Sequence, residues 1–320
     1  MDRAEESYYL ESPLGVREDE MARHFLQITD LKRSEAWNML ARAKEIKTSA
    51  WRSNLLDGKT LILLFEKAST RTRISFEVAI RDLGGNVLFM TNKESQLGRN
   101  EPLKDTARVF GRYVQGVVVR TFAQEVLEEL ASMGGIPVVN ALTDLHHPCQ
   151  VMSDMLTIFE QTPDIPSLKI AWVGDGNNMA NSWLHAAVHF PFSLYLAVPA
   201  GYEPNPEVLQ DARENGANVV VTHDPKEAVS EAHYVNTDVW ASMGQEDAAE
   251  ERREIFAPFQ VNSRLLALAQ PDCKVLHCLP AKRGEEITDE VMESEASLVW
   301  DQAENRLHMQ KALLEWVFAE

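Results

Sequence analysis

Short apolar runs alternate with amphipathic segments along nearly the whole of this 320-residue chain, and that alternation limits the fold more than any other feature. Apolar runs at 59–65, 86–90, 116–120 and 136–141 are separated by helical stretches that begin near Ser69 and at 103–113 and 124–133. A second set of runs, at 168–173, 193–198, 218–221, 233–239 and 274–279, alternates with helices at 179–189, 207–214, 226–231, 250–256 and 262–269. Strands that alternate with helices imply a parallel sheet covered on both faces, with ligands beyond the strands' C-terminal ends. Asp30 is the candidate cap of the first helix, Gly84-Gly85 stops the helix that Ser69 opens, and Pro163 and Pro166 end a helix at 151–160. The expected fold class is α/β, with two open parallel-sheet domains joined by interdomain helices and a boundary within 145–165. A last helix at 305–318 follows the second sheet and is placed to pack back on the first domain. A chain of this length is also long for a single core.

Forty-nine acidic residues against 31 basic ones give a net charge of −18, which argues against nucleic acid or an anionic membrane as partner. The three cysteines, Cys149, Cys273 and Cys278, make no disulfide framework, so a reducing, cytoplasmic setting is expected. Cys273 and Cys278 flank His277, but no second ligand pair completes a structural zinc site, and no metal is expected. No apolar run has membrane-spanning length, and no signal peptide is expected. Residues 1–20 are acidic and aperiodic, which suggests a loosely docked extension.

Local positive charge therefore stands out, and it is concentrated in Ser69-Thr70-Arg71-Thr72-Arg73, between an apolar run and an amphipathic helix. Helix N-terminal amides, the positive dipole end and forked guanidiniums favour an anion, above all a phosphate. A plain Ser or Thr cap with solvated arginines is the structural alternative. Arg120 ends the third run, and His147-Pro148-Cys149-Gln150 follows the fourth. Three segments thus deliver polar groups to one sheet edge. The polar stretch 91–102, with Gln96, is too long for a tight turn.

Gly174-Asp175-Gly176-Asn177-Asn178 opens a helix after a strand and suggests a dinucleotide fingerprint, but Met179 replaces the third glycine. Ala197-Val198-Pro199 stands where an acidic residue would hold a ribose. Asn177 and Asn178 either hold a carboxylate or cap the helix. Asp238, with Ser242-Met243-Gly244 beyond it, suits a grip on an ammonium group or a surface turn. His277-Cys278-Leu279-Pro280 ends another strand, and a buried cysteine is more often core than reactive. No nucleophile elbow is present, and no covalent mechanism is expected.

From about Phe25 to the C-terminus these motifs resemble the aspartate/ornithine carbamoyltransferase family. Residues 65–73 and His147–Gln150 mark the whole family, whereas Asp238 with Ser242-Met243-Gly244 and His277-Cys278-Leu279-Pro280 mark its ornithine-specific members. Ala68 stands where proline is frequent. The resemblance implies carbamoyl phosphate bound by Ser69, Thr70, Arg71 and Thr72, with Arg120, His147, Pro148, Cys149 and Gln150 completing the site. It places Gln96 in a neighbouring subunit's site, Asn178, Asp238, Ser242 and Met243 around L-ornithine, and Cys278, Leu279 and Arg306 at the reaction centre. It further implies an extension over residues 1–24, a carbamoyl phosphate domain over 25–150 with residues 305–320 packed back on it, and an ornithine domain over 151–304. No cofactor is needed, and a homotrimer with shared sites is the implied assembly.

The implied reaction transfers the carbamoyl group to the δ-amino group of L-ornithine, giving L-citrulline and phosphate. Thr72, Arg120 and His147 would donate to the developing oxyanion, and Asp238 and Cys278 would act on the amine. The rivals are another amine acceptor such as putrescine or an acylated ornithine, a nicotinamide-dependent dehydrogenase on the Gly174 loop, and a non-enzymatic binder of phosphorylated metabolites.

Overall fold

The computed structural model describes residues 22–49, 51–91, 101–162, 164–241 and 249–319. The extension up to residue 21, the loop carrying Gln96, and the Ser242-Met243-Gly244 turn lie outside the described residues.

Strands β1 (Thr60–Phe65), β2 (Asn86–Thr91), β3 (Gly116–Arg120) and β4 (Val138–Leu142) form one sheet in the order β2-β1-β3-β4, with every pairing parallel. Strands β5 (Lys169–Val173), β6 (Ser193–Ala197), β7 (Asn218–Thr222), β8 (Tyr234–Thr237) and β9 (Lys274–His277) form a second parallel sheet in the order β7-β6-β5-β8-β9. The interior strands β3 and β8 are buried at every residue, as strands covered on both faces must be, and so is the edge strand β4, which Phe25 bridges at Val139, whereas the edge strands β2 and β7 are partly exposed.

Helices α1 (Arg33–Thr48), α2 (Thr70–Asp82), α3 (Leu103–Tyr113) and α4 (Gln124–Gly134) accompany the first sheet, and α5 (Pro148–Gln161) leads out of it. Helices α6 (Asn178–His189), α7 (Pro206–Glu214), α8 (Pro225–Val229), α9 (Ala249–Phe256), α10 (Ser263–Leu266) and α11 (Asp289–Met292) accompany the second. The last helix, α12 (Val299–Phe318), packs on α5, α1 and α2. Arg42 grips Glu315 with two bonds, at 2.6 and 2.8 Å, and Lys311 reaches Asp82 at 2.7 Å. The apolar core has a large central cluster that runs through α1, α5, α6 and α12, with one smaller cluster on the far side of each sheet.

Three element starts differ from expectation. Asp30 does not cap α1. Its Oδ2 reaches backwards to the N–H groups of Leu26 and Gln27 at 2.6 and 3.0 Å, so α1 begins at Arg33 with Glu35 accepting from Lys32 N at 2.7 Å. Helix α5 begins at Pro148 rather than 151, because proline suits the first helical position. Helix α12 begins at Val299 rather than 305, since Gln302, Asn305 and Arg306 are buried polar residues and hide the apolar period.

Chain order reverses between β1 and β3 in the first sheet and between β5 and β8 in the second, and open α/β sheets bind ligands beyond the strand ends at such points. Ser69 follows β1 and Arg120 ends β3, and the Gly174 loop and Asp238 follow β5 and β8. A β-bulge sharpens the first edge: Val119 pairs with Asn140 but Arg120 with Leu142. Gly176 sits under a tight backbone crossing, where a Cβ would lie 2.3 Å from Glu203 C and Pro204 N. Gly176→Ala should therefore lower stability by about 1–3 kcal/mol. Gly134→Ala, whose Cβ would meet nothing closer than 3.5 Å, should leave the thermal midpoint nearly unchanged or raise it.

Candidate active site

A cleft of about 930 Å³ opens where the two switch points face each other. Its first wall carries Ser69, Thr70, Arg71, Thr72, Arg120 and His147, and its second carries Asn178, Asp238, Cys278 and Leu279, with Arg306 of α12 between them. A smaller cavity of about 460 Å³ lies elsewhere, against His146, His185 and His189.

Ser69 caps α2, its Oγ accepting from Thr72 N at 3.3 Å. Arg306 Nη2 donates to Thr72 Oγ1 at 2.6 Å, which leaves the Thr72 hydroxyl hydrogen free to point into the cleft. The starts of α2, α5 and α6, at Ser69, His147 and Asn177, all lie at the cleft, so three positive helix ends add to three guanidiniums. Among the described residues, the Nε atoms of Arg71, Arg120 and Arg306 are buried without a partner. Burial, then Arg306 and Arg71, push the Arg120 guanidinium down to about 10. Burial foremost also lowers Arg306, with Arg71 repelling it further. Such a cluster is built for a multiply charged anion.

His147 is held well below the ordinary imidazole range by burial, then by Arg306 and Arg120, so at neutral pH it is an uncharged ring that can still donate one N–H. Its main-chain N–H is tied to Ser182 Oγ at 2.8 Å. Pro148, Cys149 and Gln150 do not line the cleft but lie buried behind it. The Cys149 thiol donates to Asn140 O at 3.2 Å, and burial pushes it up to about 12, so it is a core thiol. Gln150 donates Nε2 to Asp154 at 2.8 Å, and its Oε1 is buried without a partner.

On the opposite wall, Asp238 Oδ1 accepts from Val239 N at 2.8 Å and from Cys278 Sγ at 3.0 Å, and Oδ2 accepts from Asn177 Nδ2 at 3.2 Å. Burial and the Asp238 charge raise the Cys278 thiol well above its ordinary value, so it is a protonated donor and not a thiolate nucleophile. Asn177 caps α6 through Met179 N and Ala180 N, while Asn178 donates to Thr143 O at 2.6 Å and so ties the two walls. Leu279 has φ of 57°, a left-handed conformation rare outside glycine, and its N–H is held by His277 Nδ1 at 2.9 Å. His277 Nε2 pairs with the fully buried Glu286 at 3.0 Å. Donor atoms of Asp238, His277 and Cys278 lie within 4.8 Å of one another, a spacing able to hold a cation. Both His277 nitrogens are already bonded, so a cation would have to displace one of those bonds.

Several cleft residues were not singled out from the sequence. Lys67 pairs with Asp144 across the first wall and lies 4.1 Å from the Phe122 ring centroid. Arg252 pairs with Asp175, whose carboxyl burial pushes up to about 6 against the pull of Arg252. Lys67 abuts the Ser69 motif and was within reach of sequence reasoning. Arg252 falls in the helix expected at 250–256, but nothing in the sequence directed that helix at the cleft.

The family models described as the aspartate/ornithine carbamoyltransferase carbamoyl-P binding domain and Asp/Orn binding domain match residues 23–160 and 167–317. The chain belongs to the aspartate/ornithine carbamoyltransferase family. It is 61% identical over 300 residues to an ornithine carbamoyltransferase of Nitratidesulfovibrio vulgaris, covering 94% of this chain and 100% of that one. Among solved structures it resembles the ornithine carbamoyltransferase from Pyrococcus furiosus (TM-score 0.87, 47% identity, 92% of this chain and 96% of that one). It also resembles the anabolic ornithine carbamoyltransferase from Campylobacter jejuni (TM-score 0.88, 40% identity, 92% and 98% covered).

The thiol assignment is open to a direct check. Cys278 should react with iodoacetamide at pH 8 more than about tenfold slower than a free cysteine, as followed by mass spectrometry. Asp238→Asn removes the negative charge that raises the thiol and should speed the reaction severalfold. Equal rates for both proteins would contradict the assignment.

Proposed function

We propose that this carbamoyltransferase moves the carbamoyl group of carbamoyl phosphate to the δ-amino group of L-ornithine, giving L-citrulline and phosphate. The observation that carries the reading is the pairing of two walls in one cleft: a three-arginine anion cradle on one side, and Asp238 with a protonated Cys278 on the other. Relatives named ornithine carbamoyltransferase across nearly the whole chain support the choice of acceptor.

In this reading Ser69, Thr70, Arg71 and Thr72 bind the phosphate as it leaves, and Arg120, Thr72 and His147 donate to the carbonyl oxygen as it gains charge. A neutral His147 suits that work, since it stabilises the oxyanion without having to lose a proton. Gln150 and Leu279 orient the carbamoyl amino group, with Pro148 and Cys149 supporting from the buried start of α5. Arg306 joins the cradle to the reaction centre. The ornithine amine, with an ordinary pKa of about 10.4, must lose a proton before it attacks; the Asp238 carboxylate attracts the ammonium form and, beside Cys278, is placed to accept that proton. Asn178, Ser242 and Met243 would hold the amino-acid end. A tetrahedral intermediate then collapses with loss of phosphate, and no cofactor is required.

The domain reading places carbamoyl phosphate on residues 25–150 with residues 305–320, and ornithine on residues 151–304. A homotrimer is the proposed assembly, with Gln96 reaching a neighbour's site. Exposed Ile74 and Val78 on α2 and Leu88 on the edge strand β2 support self-association beside the cradle. No described helix is long and apolar enough to cross a membrane, and the three cysteines are free. A cytoplasmic setting and a role in arginine biosynthesis are part of the proposal, the latter supported by the likeness to an anabolic enzyme.

Two measurements test the reading. Purified protein should form citrulline from carbamoyl phosphate and ornithine, and Arg120→Ala should lower kcat by about 10²–10³. Near-normal turnover in that variant, or a preference for putrescine or acetylornithine, would sink the assignment. Light scattering after size exclusion should give three times the chain mass, and Ile74→Asp should shift it toward the monomer.

A further inference from the structure

Asp154 lies one helical turn beyond Gln150 on α5 and is fully buried. Residues four apart share a helix face, so the carboxylate stands directly behind the glutamine. Its Oδ1 accepts from Gln150 Nε2 at 2.8 Å and from Gln302 Nε2 at 2.7 Å, and its Oδ2 accepts from Asn236 Nδ2 at 3.2 Å. The direction of one amide is fixed independently. Gln302 Oε1 accepts the His277 main-chain N–H at 2.8 Å, so its nitrogen must be the end turned to Asp154.

An ionised carboxylate offers only acceptors. A Gln150 oxygen turned toward it would set acceptor against acceptor in a dry site, so Gln150 must present its nitrogen to Asp154. Its Oε1 is then turned away, buried and without a partner among the described residues. Gln150 stands just behind the cleft wall that His147 lines, so the wall is backed by an unused acceptor, and the proposed acyl donor carries an –NH2 group to meet it.

We propose that Asp154 is a positioning residue for acyl-donor specificity: it holds Gln150 Nε2, commits Gln150 Oε1 to accept from the donor's –NH2, and so selects carbamoyl phosphate over an acyl phosphate bearing a methyl group. The proposal rests on the carbamoyl-transfer reading above. A site built to bond an N–H can reject the isostere that lacks it by several orders of magnitude. The groups facing Asp154 are Gln150 on α5, Asn236 on β8, Gln302 and Arg306 on α12, and Cys278 after β9. Burial pushes the carboxyl up to about 6 against the three amide bonds and Arg306. Once protonated it carries an O–H donor, and the amide of Gln150 is no longer held in one direction.

The test compares carbamoyl phosphate with acetyl phosphate as donors to ornithine. With acetyl phosphate the amine forms a bond to the acetyl carbon, the carbon–oxygen bond to phosphate breaks, phosphate leaves, and solvent takes the amine proton. The readout is the ratio of the two kcat/KM values, with the inhibition constant of acetyl phosphate used if its turnover is undetectable. Asp154→Asn should lower the ratio at least tenfold, mainly by losing carbamoyl transfer. Gln150→Leu should lower it too, and adding Asp154→Asn to Gln150→Leu should change it no further, as expected if the two act through one contact.

A folded Asp154→Asn protein that makes citrulline with an unchanged ratio would overturn the proposal and leave the carbamoyl reading intact. If the variant does not fold, the unaltered enzyme decides. Its ratio cancels ionisations shared by the two donors and should fall severalfold between pH 8 and pH 5, and a constant ratio would overturn the proposal. Absence of citrulline from the unaltered protein would overturn both.

Discussion

Mutual repulsion among Arg71, Arg120 and Arg306 is the constraint the rest of the molecule is arranged to contain. Buried like charges this close oppose folding, and the Arg120 guanidinium is lowered first by burial and then by Arg306 and Arg71. Each is therefore anchored in a different rigid element: the first turn of α2, the bulged end of β3, and the middle of α12. The arrangement becomes favourable when a dianion neutralises it, so binding energy is stored in the scaffold and not in a movable side chain.

The second wall handles charge in the opposite way. Asp238 is buried but satisfied by a main-chain N–H, an amide and a thiol, and it keeps Cys278 protonated. A cationic cradle thus faces a carboxylate across one cleft. The two walls belong to different sheets but share α5 and α12. Lys47 binds Glu160 and Asn305, at 3.0 and 2.8 Å, and Asn305 binds Thr157 at 3.0 Å, so α1, α5 and α12 are cross-linked by buried polar groups as well as by apolar contact.

The alternation of apolar and amphipathic segments made both parallel sheets legible in the sequence, and the density of Ser, Thr and Arg after β1 made the cradle legible. Asp30 apart, what escaped were features that depend on contacts remote in sequence. Asp30 turned back on the preceding residues because its local partners came first. The start of α12 was hidden by Gln302, Asn305 and Arg306, polar residues buried because they bond to partners on other elements. Arg252 lay in an expected helix, but its place at the cleft is set by Asp175 and by the Tyr202 and Phe256 rings, both within 5 Å. Asp154, like Lys67, had a local clue: it lies in the helix expected at 151–160, four residues beyond Gln150.

The placement of Arg306 has a consequence for what holds the cradle together. The helix that brings this guanidinium to Thr72 also gives Met309, Leu313 and Leu314 to the central core. Unseating α12 would open the core and take away the third arginine in one step, so the anion cradle and the closed core stand or fall together.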